Sequence, residues 1–213
     1  LPEGLQNLSI ALNGQQFTTC AASSFEFQAT SVVMSVSPES GSLFGGTEVE
    51  VRAVNLAGSG DLRCRFGSAS VPAVLVDSAT AKCVSPGQAK EGPVSVEVSN
   101  NGVDYTSSGV LFVYKASMRV SGVFPKSGPM AGGSHLTVQG SGFGAAGSEA
   151  YCRFGSEVVL GAVVSDTALE CETPAATLAG AVPVDASSNG ADFTDSGVSY
   201  AFELLPEVLG VSP

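Results

Sequence analysis

The chain carries the motif CRFGS twice, at residues 64–68 and again, without change, at residues 152–156. The step from one copy to the next is 88 residues, and the same step separates Cys83 from Cys171 and Asn101 from Asn189. Internal similarity at a fixed step is the signature of tandem repeats. We therefore expect the chain to be built from units of 88 residues.

The repeat frame divides the whole chain. Residues 31–116 and 117–204 are two complete repeats, whereas residues 1–30 match only the last part of a repeat. Residues 205–213 end in VSP, which matches the VSP at residues 36–38. We expect the C-terminal part of a preceding repeat, then two full repeats, then the start of a following repeat.

Each repeat has the pattern of short β-strands. Apolar and polar residues alternate from Thr47 to Ala53, which is the period of a strand with one buried face. By the same alternation, we expect Leu8 and Ile10 to point inward in the partial repeat. Asn-Gly pairs are a strong hairpin signal, and 26 Gly and 11 Pro punctuate the chain. The pattern predicts an all-β chain of tandem immunoglobulin-like β-sandwiches, each with about seven strands.

Charge and hydropathy exclude two classes of partner. The chain has 9 basic and 20 acidic side chains, and its net charge of -11 repels nucleic acid, whose binding depends on Lys and Arg. The sequence contains no run of about 20 apolar residues, the length that spans a bilayer. We expect no nucleic-acid partner and no membrane span within these 213 residues.

The openings of the two full repeats resemble the IPT/TIG domain, the immunoglobulin-like fold shared by plexins and transcription factors. They read SPESG at 37–41 with GGT at 45–47, and FPKSG at 124–128 with GGS at 132–134. The cysteine motifs and the closing Asn-Gly-x-Asp segment resemble the extracellular, fibrocystin-like and plexin-like branch. This resemblance implies sandwiches of the E-set type. Asn55-Leu56 replace the Gly142-Phe143 of the second repeat, a change that should not alter the fold.

The cysteines are expected to form disulfides, because a recurrent pair is typical of the secreted modules that the repeats resemble. Cys64 and Cys83 lie 19 residues apart, as do Cys152 and Cys171. Two disulfides require an oxidising compartment. Four buried free thiols in a cytosolic protein are the alternative. Cys20 stays unpaired within the chain, and we expect its partner upstream, a free or intermolecular thiol being the alternative.

Few other residues indicate a chemical role. Asn7 heads the only N-glycosylation sequon, and we expect it to face solvent. His135 is the single histidine and has neither a nucleophile nor a metal-ligand set in its pattern, so we expect no catalytic site, no metal and no cofactor. Asp192 and Asp195 lack the spacing of a calcium loop and are interpreted as part of a solvated face.

These observations favour an extracellular structural or adhesion scaffold over an enzyme. We expect a rod-like spacer in a large surface or matrix protein, because the linkers are short, and we expect apolar linker residues to pack at the junctions: Met118, Val120, Leu204, Leu205 and Val208. Its partners are expected to be neighbouring repeats, other surface proteins, sister chains or glycans. The alternative function is an accessory domain pair of a secreted carbohydrate-active enzyme. The expected location is extracellular or at the cell surface. The composition is also typical of a GC-rich protist or algal genome, which fits a surface fibre or ciliary appendage.

Overall fold

The computed structural model describes residues 4–58 and 60–204, with the side chains of residues 20–24 excepted. Every regular element in that part of the chain is a β-strand, so it holds no helix that could cross a membrane. The strands form one two-stranded sheet and two eight-stranded sheets. The prediction of an all-β fold is confirmed. The predicted start of a following repeat, residues 205–213, lies outside the described residues.

The first sheet is a hairpin of β1 (Gly4–Ile10) and β2 (Thr18–Phe27), paired antiparallel. The prediction that Leu8 and Ile10 point into a core is wrong, because these side chains are 45% and 60% exposed. The hairpin is only the last part of a repeat, and among the described residues no second sheet covers it. Asn7 is exposed on β1.

The first full repeat has eight strands. They are β3 (Val32–Ser37), β4 (Ser40–Ser42), β5 (Glu48–Val54), β6 (Arg63–Phe66), β7 (Ala69–Asp77), β8 (Thr80–Val84), β9 (Gly92–Ser99) and β10 (Leu111–Lys115). They are hydrogen-bonded in the order β3-β5-β8-β7-β6-β9-β10-β4. The strand beyond the predicted seven is β4, which is too short to show alternation and which runs parallel to β10.

Strand β7 joins the two layers of the sandwich. Its residues 69–72 pair with β6, and its residues 73–77 pair with β8. In a flat sheet the two neighbours of one strand lie about 9–10 Å apart. The Cα atoms of Cys64 on β6 and Cys83 on β8 are only 6.3 Å apart. The sheet is therefore folded at β7, and a disulfide between these two cysteines bridges its layers.

The second full repeat copies this arrangement strand for strand. Its strands are β11 (Arg119–Phe124), β12 (Ser127–Pro129), β13 (His135–Ser141), β14 (Glu149–Phe154), β15 (Glu157–Ser165), β16 (Ala168–Glu172), β17 (Gly180–Ser187) and β18 (Ser199–Glu203). Their order is β11-β13-β16-β15-β14-β17-β18-β12. Cys152 and Cys171 form the matching disulfide, with their Cα atoms 6.4 Å apart.

Each full repeat has a hydrophobic core of its own. Val49, Val51 and Ala53 are buried on one face of β5, as the alternation predicts. Asn55 and its counterpart Gly142 both adopt a left-handed backbone, with φ of 58° and 76°. Asparagine is one of the few residues that tolerate this conformation, so the two repeats turn alike at this point. The change from Gly142 to Asn55 therefore leaves the fold intact.

Candidate inter-repeat interface

The loop that follows β9 or β17 is organised around an asparagine, and we call it the tip loop (residues 99–106 and 187–194). The Asn189 side-chain oxygen accepts hydrogen bonds from the backbone N–H groups of Ala191 and Asp192, both at 2.9 Å. Its amide group donates to the Asp192 carboxylate at 2.8 Å. Asn101 and Asp104 make the equivalent bonds in the first repeat. The side chain thus closes an Asx turn that fixes the loop shape.

A buried carboxylate holds the base of each tip loop. Asp185 is 5% exposed and accepts hydrogen bonds from Arg153 at 3.0 Å, from the Thr194 hydroxyl at 3.2 Å and from the Ser196 backbone N–H at 3.1 Å. A buried charge is tolerated only with such partners. In the first repeat Glu97 takes this place.

Cation–π contacts fix the outer side of the loop. The Arg153 guanidinium lies 4.5 Å from the centroid of the Phe193 ring, and Arg65 lies 4.3 Å from that of Tyr105. Such contacts add modest stabilisation at a partly exposed site. The buried carboxylate and the cation–π contact therefore hold the tip loop in place through contacts within its own repeat.

The tip loop of the second repeat is hydrogen-bonded to the first repeat. The Thr47 hydroxyl donates to the Asp192 carboxylate at 2.7 Å, and the Asn189 amide donates to the Ser40 carbonyl oxygen at 2.7 Å. The Lys115 ammonium group donates to the Ser188 carbonyl oxygen at 3.3 Å. A hydroxyl on a carboxylate is a charge-assisted bond, which is stronger than a neutral one.

The interpretation of Asp192 as part of a solvated face is wrong. Asp192 is half-buried, and its partner Thr47 is 1% exposed. The carboxylate faces the preceding repeat because the Asx turn of Asn189 directs it there. Asp195 remains exposed. No group of three or more potential metal-ligating side chains occurs among the described residues.

Only residues 116–118 connect the last strand of the first repeat to the first strand of the second. The Ser117 hydroxyl hydrogen-bonds that of Ser42 at 2.6 Å. A Cβ at Gly142 would lie 2.6 Å from the Ser117 carbonyl oxygen, so this close approach requires glycine. Met118 packs against the second core, and Val120 is buried inside it. Leu204 is 75% exposed, and the junction predicted for it falls on residues 205–213, which include Leu205 and Val208 and lie outside the described residues.

A cleft with equivalent lining occurs upstream. The tip loop of the first repeat and residues 25–31 line a cleft, as the tip loop of the second repeat and residues 116–118 line another. Five pairs of lining residues, 88 positions apart, are shared by the two clefts: Val98 and Ala186 on the preceding strands, and in the loops Asn100 and Ser188, Asp104 and Asp192, Tyr105 and Phe193, and Thr106 and Thr194. A cleft of equivalent lining thus lies beside each tip loop, and the direct bonds to a neighbouring repeat are those of the second tip loop.

Sequence reasoning missed this interface, although one signal was present. The Asn-x-x-Asp spacing occurs at Asn101 and Asp104 and again at Asn189 and Asp192. Thr47 gave no such signal, because its hydroxyl is recognisable as a docking group only once the neighbouring loop is placed. The other predicted positions are scattered. Asn7 lies on the hairpin, Cys20 lies on β2 with its side chain outside the described residues, and His135 is exposed.

Comparison with known proteins identifies the family of the two full repeats. The family model described as "IPT/TIG domain" matches residues 31–114 and 118–202. Human Fibrocystin-L is 27% identical over 186 residues, and mouse Fibrocystin-L is 25% identical over 188; each match covers 86% of this chain. The chain spans only 4% of the length of these relatives.

Among solved structures, the Plexin A4 full extracellular region is similar over 84% of this chain and 16% of that chain, with 16% identity and a TM-score of 0.49. The family match covers both eight-stranded repeats, and this chain therefore belongs to the IPT/TIG domain family.

Proposed function

We propose that this chain is a scaffold segment of a large extracellular or cell-surface protein, a rod-like spacer that holds consecutive repeats in a fixed relative orientation. The observation that carries the proposal is the docking of Asp192 and Asn189 on Thr47 and Ser40. Two directional bonds at 2.7 Å, with a three-residue linker beside them, restrict both bending and rotation.

An extracellular setting is supported by the disulfides. Each one bridges the two layers of a sandwich, and such bonds persist in oxidising compartments. The sequence similarity to Fibrocystin-L, over a small share of that protein, supports a place within a much longer chain.

The lateral faces of the repeats are suited to contact with other macromolecules. Val74 and Val76 on β7 are 68% and 54% exposed, and Leu160 on β15 is 55% exposed. Apolar side chains that group on one exposed strand favour a protein partner. Surface proteins, sister chains and glycans are the partner classes that we propose for these faces.

The orientation part of the proposal is tested by ¹⁵N relaxation on the whole chain. We expect both full repeats to report one common rotational diffusion tensor, and Asp192→Ala to separate the two tensors. Asp195→Ala is the matched control, since that exposed carboxylate lies three residues away. Independent tumbling of the repeats in the unsubstituted chain would refute a fixed spacer.

The location is tested on cells that carry the parent protein. An antibody against this chain should stain them without permeabilisation. Staining that requires permeabilisation would contradict the extracellular assignment.

A glycan array separates the partner classes. Strong binding of one polysaccharide by the isolated chain would identify a glycan as its lateral partner, and the absence of such binding would favour a protein.

A further inference from the structure

The surface that receives the tip loop on the first repeat has a counterpart on the second. Ser40 and Thr47 correspond, at the 87-residue step of this part of the repeat, to Ser127 and Ser134. Ser127 lies on β12, which pairs with β18 as β4 pairs with β10. We call the surface around Ser127 and Ser134 the second docking surface.

The two surfaces differ in their covering. Thr47, which the tip loop contacts, is 1% exposed, whereas Ser134 is only half-buried. The Ser134 backbone is nevertheless held in the same way as that of Thr47. Its N–H donates to the Thr173 hydroxyl at 3.1 Å, as the Thr47 N–H donates to the Ser85 hydroxyl at 3.2 Å. The Ser134 hydroxyl also lies beside Gly128, as the Thr47 hydroxyl lies beside the counterpart Gly41.

A second observation points to a ligand at this surface. Tyr200 is fully buried, yet its hydroxyl has no hydrogen-bond partner among the described residues. The Tyr200 and Ser134 hydroxyls both lie beside Gly128. A Cβ added at Gly128 would overlap the Tyr200 hydroxyl and lie 2.9 Å from the Ser134 hydroxyl. The first repeat has Phe112 at this position and no hydroxyl to satisfy. A buried hydroxyl without a partner costs free energy. A ligand that accepts a hydrogen bond from Ser134 allows the Tyr200 hydroxyl to join the same hydrogen-bond chain and removes this cost.

We propose that the second docking surface binds the tip loop of another IPT/TIG repeat. The carboxylate at the position of Asp192 accepts a hydrogen bond from Ser134, and the Tyr200 hydroxyl joins the same hydrogen-bond chain. The asparagine at the position of Asn189 donates to the Ser127 carbonyl oxygen. This inference rests on the proposed scaffold function and identifies the partner of the second repeat.

One substitution makes the second docking surface weaker than the first. Glu203 stands at the position of Lys115, so the bond from Lys115 to the Ser188 carbonyl oxygen has no counterpart. Glu203 also places a negative charge beside an incoming acidic loop, and like charges disfavour approach. The hydroxyls of Ser134 and Tyr200 offset the missing lysine bond. We therefore expect removal of these hydroxyls to weaken docking at the second surface more than removal of the Thr47 hydroxyl weakens docking at the first.

The test uses the full chain extended at Pro213 by a second copy of residues 126–204, which continues the 88-residue step in register. That segment supplies most of a repeat that has its own core and disulfide in this structure. Residual dipolar couplings report the alignment of each repeat. We expect the second and added repeats to share one alignment tensor. Ser134→Ala and, to a smaller extent, Tyr200→Phe should give the added repeat a tensor of its own.

Ser121→Ala is the matched control, because Ser121 carries an exposed hydroxyl on β11 and should leave the shared tensor unchanged. An added repeat that tumbles independently, or a Ser134→Ala chain that behaves like the control, would overturn the inference. The first and second repeats are observed in the same sample. If they share a tensor while the added repeat does not, only this inference fails; if they too are independent, the scaffold proposal fails.

Discussion

Replacing Thr47 with valine removes the hydroxyl that joins the two repeats while keeping the shape of the side chain. The structure limits the damage to that one group. The backbone N–H and C=O of Thr47 are bonded to Ser85 within the first repeat and are unaffected. The Asp192 carboxylate loses a donor at 2.7 Å and keeps its bond from Asn189.

The expected loss follows from the chemistry of that bond. A hydrogen bond to a charged acceptor contributes about 1.5–3 kcal/mol. Thr47 is 1% exposed, which favours a large value, but Asp192 is only half-buried and keeps a second donor. We therefore expect a coupling free energy of about 1.5 kcal/mol between Thr47 and Asp192, at the lower end of that range.

A double-mutant cycle measures this coupling. Thr47→Val, Asp192→Ala and the double variant are compared with the unsubstituted chain by urea unfolding of the first repeat. Ser134→Ala combined with Asp192→Ala is the matched control, and its coupling should be near zero because these residues are not in contact. A Thr47–Asp192 coupling below about 0.5 kcal/mol, the usual scatter of additive sites, would refute the assignment of this bond as the link between the repeats.

Three further predictions concern the separate repeats. Burial raises the pKa of Tyr114 to about 12 from 10.0, so its stabilising contribution is complete below pH 10 and is lost as the pH rises towards 12. Tyr114→Phe, which introduces the residue found at the equivalent Phe202, should therefore show a smaller loss of unfolding free energy between pH 10 and pH 12. A loss equal to that of the unsubstituted chain would contradict the prediction. Glu97→Gln should lower the unfolding free energy of the first repeat by about 2 kcal/mol, because it weakens the acceptor for Thr106 and Ser108. Glu91→Gln, at an exposed position, should leave the unfolding free energy unchanged, and equal effects of the two substitutions would contradict a role of Glu97 in stabilising the tip loop. Replacing Cys64 and Cys83 by alanine should lower the unfolding free energy of the first repeat by about 3 kcal/mol. Non-reducing peptide mass spectrometry of the native chain should recover both disulfides, each between cysteines 19 residues apart, and free thiols at these positions would contradict the pairing.

The layered fold was predictable because strand alternation and the repeat step are local signals. Val49 and Val51 are buried and Glu48 is exposed, as the two-residue period requires. The same rule failed at Leu8 and Ile10, because burial depends on a covering sheet and the alternation of one strand carries no information about it. The folding of the sheet at β7 was also out of reach, since a nine-residue strand that serves two layers has the same pattern as one that serves a single layer.

The interface was not predictable for a different reason. Asp192 and Thr47 are 145 residues apart in sequence, and a carboxylate in a polar loop has the pattern of a solvated residue. Only the Asx turn of Asn189, the buried Asp185 beneath it and the three-residue linker together direct that carboxylate to its neighbour. Position, and not residue type, distinguishes Asp192 from the exposed Asp195.

Small-angle X-ray scattering of the 213-residue chain tests whether the two repeats form a rod-like spacer. A single packed domain of this length has a radius of gyration of about 17 Å. Two sandwiches held by the Asp192 contact as a rod-like spacer should give a clearly larger value and an elongated distance distribution, and Asp192→Ala should broaden that distribution. A radius of gyration near that of the packed domain, unchanged by Asp192→Ala, would contradict a rod-like arrangement of the repeats.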